Sequence, residues 1–182
     1  MMKRRTALLA LVACLLAGSP LADSSPSPYA GQQTRPIKAL SEQDIAALLN
    51  GEGMGMAKAA ELNGYPGPKH VLTLTSELKL TEAQRQQVQV IFDEMSTAAR
   101  PLGMEIIGRE LLLDRLFAEG DVTPDRLAAE TTAIGTLEGS LRSVHLAAHL
   151  QTRALLNADQ IALYNGLRGY DSPTAPHDHH HH

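Results

Sequence analysis

Aromatic residues are scarce in this chain of 182 residues: they make up 3% of it, with two Phe and no Trp. A broad β-sandwich or a large enzyme cleft normally uses more aromatic bulk. Leu and Ala are abundant among the 43% of residues that are hydrophobic, and both favour helix. No segment has the two-residue alternation of a half-buried strand. The sequence therefore predicts an all-α protein.

Catalytic motifs are missing as well. The chain has no GxSxG, no Gly-rich phosphate loop and no HExxH. Its one cysteine, Cys14, lies in an N-terminal segment that export would remove. We therefore predict that the protein is not an enzyme, with no catalytic and no cofactor-binding residues.

Positive charge is also in short supply. The formal charge is −4, and three of the 16 basic residues are Lys3, Arg4 and Arg5, so the rest of the chain carries 13 − 20 = −7. Nucleic-acid binding needs clustered Lys and Arg, and this balance argues against it. A negatively charged chain is expected to bind cations or basic unfolded polypeptides.

The N-terminus has the pattern of an export signal. The three basic residues precede an apolar run, 6–16, that is too short to span a bilayer. Small residues follow, so we predict a signal peptide over 1–22 and a periplasmic location. Cys14 is either a lipoprotein acylation site or an ordinary apolar residue discarded with the signal. Leu15 and Leu16 extend the apolar stretch beyond it, which favours the second interpretation.

The segment 23–40 is rich in Ser, Pro and Gln and is predicted to be a flexible linker. A helical domain over 41–170 and a His-rich disordered tail over 171–182 are predicted to follow. Short helices are expected over 41–49, 54–63 and 68–79, from capping residues and glycine or proline breaks.

Two long helices are predicted next. Thr81 and Gln84 form a capping box, and apolar residues then recur at helical spacing to about residue 117. Pro101 is expected to kink this helix. Thr123 caps a second amphipathic helix that runs to about residue 156. Joined by a short loop, the two are expected to pack as an antiparallel helical hairpin.

A second capping box, Asn157 with Gln160, begins a last short helix. The runs Leu-Thr-Glu-Ala-Gln at 80–84 and Leu-Asn-Ala-Asp-Gln at 156–160 resemble the repeated LTxxQ motif of the Spy/CpxP family of periplasmic proteins. That family includes heavy-metal sensor and resistance proteins of the CnrX and ZraP kind. The resemblance covers about 70–170 and departs from the motif at Asn157, which stands in place of Thr.

The resemblance implies a cradle-shaped antiparallel dimer of helical hairpins. Members of the family act as ATP-independent chaperones, as metal buffers or as sensors that hold a membrane-bound regulator. The runs 54–56 and 63–68 lie outside the motif region but are similar to those of periplasmic heavy-metal sensors.

His145 and His149 are the sharpest candidate site. An i, i+4 spacing places both imidazoles on one helical face, close enough to share a Zn, Ni, Co or Cu ion. The third ligand stays open: Glu105 or Glu110 across the hairpin, or a residue of a dimer mate. Arg142 and Arg153 on the same face weigh against a cation. His145 also borders the apolar stripe, so it is alternatively a residue at the edge of the core.

The C-terminus could also bind metal. Five of the eight His residues occupy the last six positions, and these candidate ligands are His177, His179, His180, His181 and His182. They form either a native metal-capturing tail or an expression tag, and the interruption by Asp178 favours a native tail.

Two methionines are possible soft ligands. Met54 and Met56 offer thioethers for Cu(I), or they merely fill packing space. His70, near the start of a short helix, is expected to be a surface or interface residue.

Two functions follow from these residues. The first is a periplasmic heavy-metal-binding stress or resistance protein, acting as sensor or buffer. The alternative is an ATP-independent holdase chaperone for unfolded proteins. Expected partners are a second copy of the chain, metal ions, and either unfolded polypeptides or a membrane-bound regulator.

Overall fold

The computed structural model describes residues 26–171. This part of the chain contains helices and turns and no strand, which confirms the all-α prediction. The chain divides into two units after Gln33. Residues 26–33 form turns, and a short 3-10 helix spans Gln32–Thr34. The α-helices are α1 (Glu42–Asn50), α2 (Lys58–Glu61), α3 (Pro68–Thr73), α4 (Glu82–Ala118), α5 (Pro124–Leu155) and α6 (Ala158–Leu167).

Three helices begin at complete capping boxes, as the sequence predicted. At the start of α4, Thr81 Oγ1 accepts from the Gln84 amide at 3.1 Å, and the Gln84 side chain accepts from the Thr81 amide at 3.0 Å. Asn157 and Gln160 repeat this arrangement before α6, and Ser41 with Asp44 repeats it before α1. Each box satisfies backbone N–H groups that the first helical turn leaves unpaired.

The two long helices pack together. Arg109 of α4 forms an ion pair with Glu130 of α5 at 3.2 Å, and the Gln84 side chain at the start of α4 donates to the Leu155 carbonyl at the end of α5. Pro101 lies inside α4 and does not end it.

The side chains of the two boxes also bind each other. Gln84 Nε2 donates to Gln160 Oε1 at 2.9 Å, and Gln160 Nε2 donates to Gln84 Oε1 at 3.2 Å and to the Leu78 carbonyl at 3.2 Å. Gln160 is buried. A buried amide needs partners for both of its polar atoms, and each box supplies them to the other. The beginnings of α4 and α6 are therefore locked together.

Two clusters of buried apolar side chains lie along the part of the α4–α5 pair that contains the start and middle of α4. One joins α3, α4 and α6, and the other joins α1 to the middle of α4 and α5. The first contains Val71, Leu78, Val88, Leu156 and Tyr164. The second contains Leu48, Ala99, Ile106 and Leu141. The short helices α1, α3 and α6 therefore cover the part of the α4–α5 pair that contributes to these two clusters.

The predicted short helices over 54–63 and 68–79 were too long. Met54 and Gly55 have φ values of 44° and 77°, which are incompatible with a right-handed helix, so α2 begins only at Lys58. After Thr73 the chain turns, and Lys79 has a φ of 50°.

The packed part of the chain begins earlier than predicted. The predicted linker ended at residue 40, yet Ile37 is 4% exposed and Lys38 pairs with Asp114 at 3.2 Å. The last residues of 23–40 are therefore part of the folded chain, because an apolar side chain and an ion pair hold them against it.

Several predictions fall on residues outside 26–171. One is the signal peptide over 1–22 with Cys14. The others are the five tail ligands, His177, His179, His180, His181 and His182, which all lie outside the described residues. Among the helices that the structure describes, none has the length and apolar character needed to cross a membrane.

Candidate functional site

His145 and His149 are both buried on α5, with 3% and 8% of their surface exposed. Glycines let the preceding loops approach both rings closely. A Cβ at Gly67 would lie 2.9 Å from His149 Nε2, and one at Gly53 would lie 3.4 Å from His145 Nδ1. The pair is therefore enclosed by the segment between α1 and α3, rather than facing solvent along the helix.

The hydrogen bond of His149 fixes its tautomer. Its Nδ1 lies 2.7 Å from the Tyr65 carbonyl oxygen, which can only accept, so Nδ1 carries the proton. In the neutral ring, Nε2 then keeps its lone pair. A backbone carbonyl that orients an imidazole in this way is a frequent arrangement behind metal-binding histidines.

His145 has no partner for one ring nitrogen. Its Nε2 is buried and makes no hydrogen bond within residues 26–171. Burial lowers the pKa of His145 below its ordinary value of 6.5, and the neighbouring His149 lowers it further. At neutral pH the ring is therefore neutral, which is the form that binds metal.

Glu61 of α2 is the third member of the cluster, and its two oxygens have different surroundings. Oε1 accepts from the Tyr164 hydroxyl at 2.5 Å and from the Tyr170 hydroxyl at 2.9 Å. Arg168 Nε lies 3.4 Å and His70 Nδ1 3.5 Å from the same oxygen. Oε2 is buried and accepts no hydrogen bond from residues 26–171. It lies 3.6 Å from His149 Nδ1, whose proton faces the Tyr65 carbonyl.

The phenols around Glu61 remain protonated. Burial raises the pKa of Tyr164, and the Glu61 carboxylate raises it further. Burial also raises the pKa of Tyr170. For His70, burial and the charge of Arg168 lower the pKa, against the opposing effect of Glu61. Both tyrosines therefore act as hydrogen-bond donors at neutral pH.

The cluster borders a cavity of about 590 Å³. Its wall combines the imidazoles and the carboxylate with apolar side chains, and Lys58, Lys69 and Arg100 also contribute to its lining. Its lining includes the side chains of Met54, Glu61, His70, Met95, His145 and His149.

Within the part of the chain that the structure describes, no three His, Cys, Asp or Glu side chains are arranged to hold a metal ion. The donor chemistry nevertheless fits one. Glu61 Oε2 and His145 Nε2 are buried without partners, and His149 Nε2 carries a lone pair. Two imidazoles and a carboxylate are a common ligand set for zinc and related metals.

The remaining predicted ligands are divided between different places. Met54 lines the cavity and is 42% exposed, whereas Met56 packs against the cluster of Leu48 and Leu141. Glu105 is exposed, and Glu110 lies near Glu138, whose charge adds to the effect of burial in raising the pKa of Glu110. Neither glutamate lines the cavity.

Arg153 has a structural role next to the cluster. Its Nε donates to the Gly64 carbonyl at 3.0 Å, and its guanidinium stacks on the Tyr65 ring at 4.8 Å. It therefore braces the loop whose carbonyl orients His149. Arg142, the other arginine expected to repel a cation, is exposed.

Sequence reasoning missed Glu61, Tyr164, Arg168 and Tyr170. Glu61 follows two alanines in a four-residue helix, and no local pattern marks it as buried. The nearest signal was the run 63–68, whose Gly and Pro residues form the loop over His149. No protein-family model, curated protein or solved structure matches the chain. The resemblance to the Spy/CpxP family therefore stays a prediction from the two LTxxQ-like runs in the sequence.

Proposed function

We propose that the protein is a periplasmic heavy-metal-binding stress or resistance protein of the Spy/CpxP/CnrX type, acting as sensor or buffer. Glu61, His145 and His149 would hold the metal. The observation that supports this proposal is the pair of buried, unpartnered atoms, Glu61 Oε2 and His145 Nε2, in the wall of one cavity.

Leaving such atoms unpaired is costly. A buried polar group without a partner destabilises a protein by about 1–3 kcal/mol, and more when it is charged. Glu61 Oε2, His145 Nε2 and His149 Nε2 would be the atoms that hold a divalent metal, which would satisfy the two unpaired groups. Imidazole ligands favour Zn, Ni, Co and Cu over Ca and Mg. The thioether of Met54, in the same wall, would suit the softer of these metals.

The rest of the proposal comes from the sequence. The tail histidines would capture metal loosely, because ordering a chain segment around a metal costs conformational entropy. A long antiparallel hairpin that pairs with a second copy of the chain would carry the site. Export by the N-terminal signal would place the protein in the periplasm, where the cell envelope is exposed to excess metal. A membrane-bound regulator would respond to whether the site holds metal.

Calorimetric titration with Zn²⁺, Ni²⁺ and Cu²⁺ tests the site. The parent protein should carry Ser at the five tail histidines, so that the tail contributes no heat: His177, His179, His180, His181 and His182. We expect one site per chain, lost in the double variant His145→Gln/His149→Gln and weakened at least about tenfold in Glu61→Gln.

His70→Gln is the matched control, because His70 lines the same cavity but its Nδ1 faces Glu61 Oε1. It should keep the site. Isotherms that do not differ between the parent protein and the double variant would contradict the proposal, provided that circular dichroism shows the same helicity for both.

A holdase chaperone is the second candidate, and the exposed apolar side chains on the long helices favour it. Met104, Phe117 and Leu150 are 55%, 57% and 59% exposed. Exposed apolar groups next to charged ones can bind unfolded chains without sequence preference. The protein should then suppress aggregation of an unrelated unfolding protein without ATP and with a chelator present. Replacing all three residues by Ser should remove the effect, and equal suppression by this variant would argue against the candidate.

A further inference from the structure

We propose that Tyr164 and Tyr170 are positioning residues that make Glu61 a one-oxygen metal ligand. This inference rests on the proposed function, since it concerns how one member of the Glu61–His145–His149 cluster meets the metal. The observation behind it is that the two oxygens of the Glu61 carboxylate differ in their hydrogen bonds.

The first step concerns Oε1. A carboxylate oxygen has two lone pairs, and the hydroxyls of Tyr164 and Tyr170 donate to Oε1 at 2.5 and 2.9 Å. Both lone pairs are therefore occupied. Arg168 Nε, 3.4 Å away, adds a positive charge on the same side. Oε1 has no remaining electron pair to give to a metal.

The second step concerns Oε2. It is buried, and within residues 26–171 no donor reaches it. The nearest ring nitrogen, His149 Nδ1 at 3.6 Å, faces the Tyr65 carbonyl at 2.7 Å instead. Only Oε2 therefore keeps its lone pairs, and it lies on the side of the carboxylate that borders His149.

The third step is that this arrangement is held rigidly. Tyr164 is fully buried in the cluster of Val71, Leu78 and Val88, so its hydroxyl cannot move far from Oε1. Glu61 is 9% exposed. Rotating the carboxylate to present both oxygens would break two hydrogen bonds inside the protein.

The consequence is a preference among metals. Calcium takes 6–8 oxygen ligands and commonly uses both oxygens of a carboxylate. One carboxylate oxygen beside two imidazoles is instead a ligand set that suits zinc. Tyr164 and Tyr170 would thus restrict Glu61 to one bond with the metal without touching the metal themselves.

Cobalt(II) absorption tests this, because the intensity of its visible bands falls as the coordination number rises. The tail-substituted full chain is compared with Tyr170→Phe, which frees one lone pair of Oε1 and keeps the ring. We expect the variant to lose a large part of the visible intensity when it is loaded with Co²⁺. Its affinity for Zn²⁺ should fall about 10-fold, within the range usual for groups that orient a ligand.

One control separates positioning from general damage. Tyr65→Phe removes a phenol next to the cluster that makes no hydrogen bond to Glu61, and it leaves the carbonyl that orients His149. This control should retain the parent spectrum. Tyr164→Phe removes the other hydroxyl and provides the same test where Tyr170→Phe proves unstable.

The outcomes distinguish the two proposals. Cobalt spectra and zinc affinities that match those of the parent protein in both Phe variants would overturn the positioning role and leave the metal site standing. A parent protein that binds neither Co²⁺ nor Zn²⁺ would overturn the proposed function itself. Equal loss of intensity in the Tyr65→Phe control would assign the effect to general damage near the cluster, which also contradicts the inference.

Discussion

The two ends of the long helix pair differ in what covers them. At the end where α4 begins and α5 finishes, the short helices and their loops enclose Glu61, His145 and His149. At the other end, near the connection between α4 and α5, Phe117 and Leu127 are 57% and 37% exposed. Both ends have apolar residues at helical spacing. The difference shows that burial of the polar cluster depends on the added short segments, and not on the long helices themselves.

Substituting the two glycines in the middle of α4 should give the largest contrast between a position covered by α1 and an open one. A Cβ at Gly103 would lie 2.3 Å from the Leu48 carbonyl oxygen of α1, whereas a Cβ at Gly108 meets nothing within 4 Å. We expect Gly103→Ala to destabilise the protein by about 3 kcal/mol or more, because backbone blocks the new methyl group. Gly108→Ala should stabilise by up to about 1 kcal/mol through helix propensity. Urea unfolding measures both, and equal effects would show that α1 does not pack there.

The reciprocal glutamine pair should give the next largest effect. Gln160→Ala removes the box before α6, both hydrogen bonds with Gln84 and the hydrogen bond to the Leu78 carbonyl. We expect a loss of about 2 kcal/mol in the free energy of unfolding. Gln86→Ala, an exposed glutamine on the first turns of α4, is the control and should change nothing measurable. A double-mutant cycle of Gln84→Ala with Gln160→Ala should show strong coupling, and additive losses would contradict the pairing.

Lowering the pH should destabilise the protein through His145, which lies at the end that the short helices cover. Because burial lowers the pKa of folded His145 below 6.5, the unfolded chain binds this proton more readily. The contribution of neutral His145 to the free energy of unfolding is therefore fully present above pH 6.5. It is lost as the pH falls through the lower pKa of His145 in the folded protein. Unfolding of the metal-free protein, followed in chelator from about pH 8 to about pH 5, should show this loss. His145→Gln should flatten the profile, and an unchanged slope would rule out His145 as its source.

Substitutions at the end of the helix pair near the connection between α4 and α5 should have the smallest effect on stability. Phe117→Ser replaces a side chain that is 57% exposed, and we expect a change within about 0.5 kcal/mol. Leu141→Ala is the contrast, since Leu141 is 1% exposed and its truncation should cost about 2–5 kcal/mol. Thermal unfolding compares the two. A large loss for Phe117→Ser would mean that this end is covered in solution and would contradict the contrast.

Much of the fold could be predicted because its signals are local. Each capping box spans four residues and binds its own backbone, so Thr81 and Asn157 mark helix starts without knowledge of the rest of the molecule. The long stretches between breaks predicted α4 and α5 almost to the residue. The short helices were less accurate, because the left-handed turn at Met54 and Gly55 leaves little trace in composition.

The candidate site could be predicted only in part. The spacing of His145 and His149 fixes their common helical face, and the structure indeed places both on the buried side of α5. Glu61 is separated by 103 residues from Tyr164, whose hydroxyl binds it, and no periodicity connects the two. The proposed partners Glu105 and Glu110 lay on the expected helix, but the part of α4 that lines the cavity is nearer its start, at Phe92, Met95, Ser96 and Arg100.

By itself, the amino-acid sequence determined the helical class, the starts of three helices and the shared face of the two histidines, because short-range hydrogen bonds and helical spacing decide these features. Only the tertiary structure decided which loop covers that face, that the two glutamines bind each other, and that Glu61 lies beside His149 with one oxygen hydrogen-bonded and the other without a donor among residues 26–171. Those contacts join distant parts of the chain, and their partners are chosen by how the helices pack.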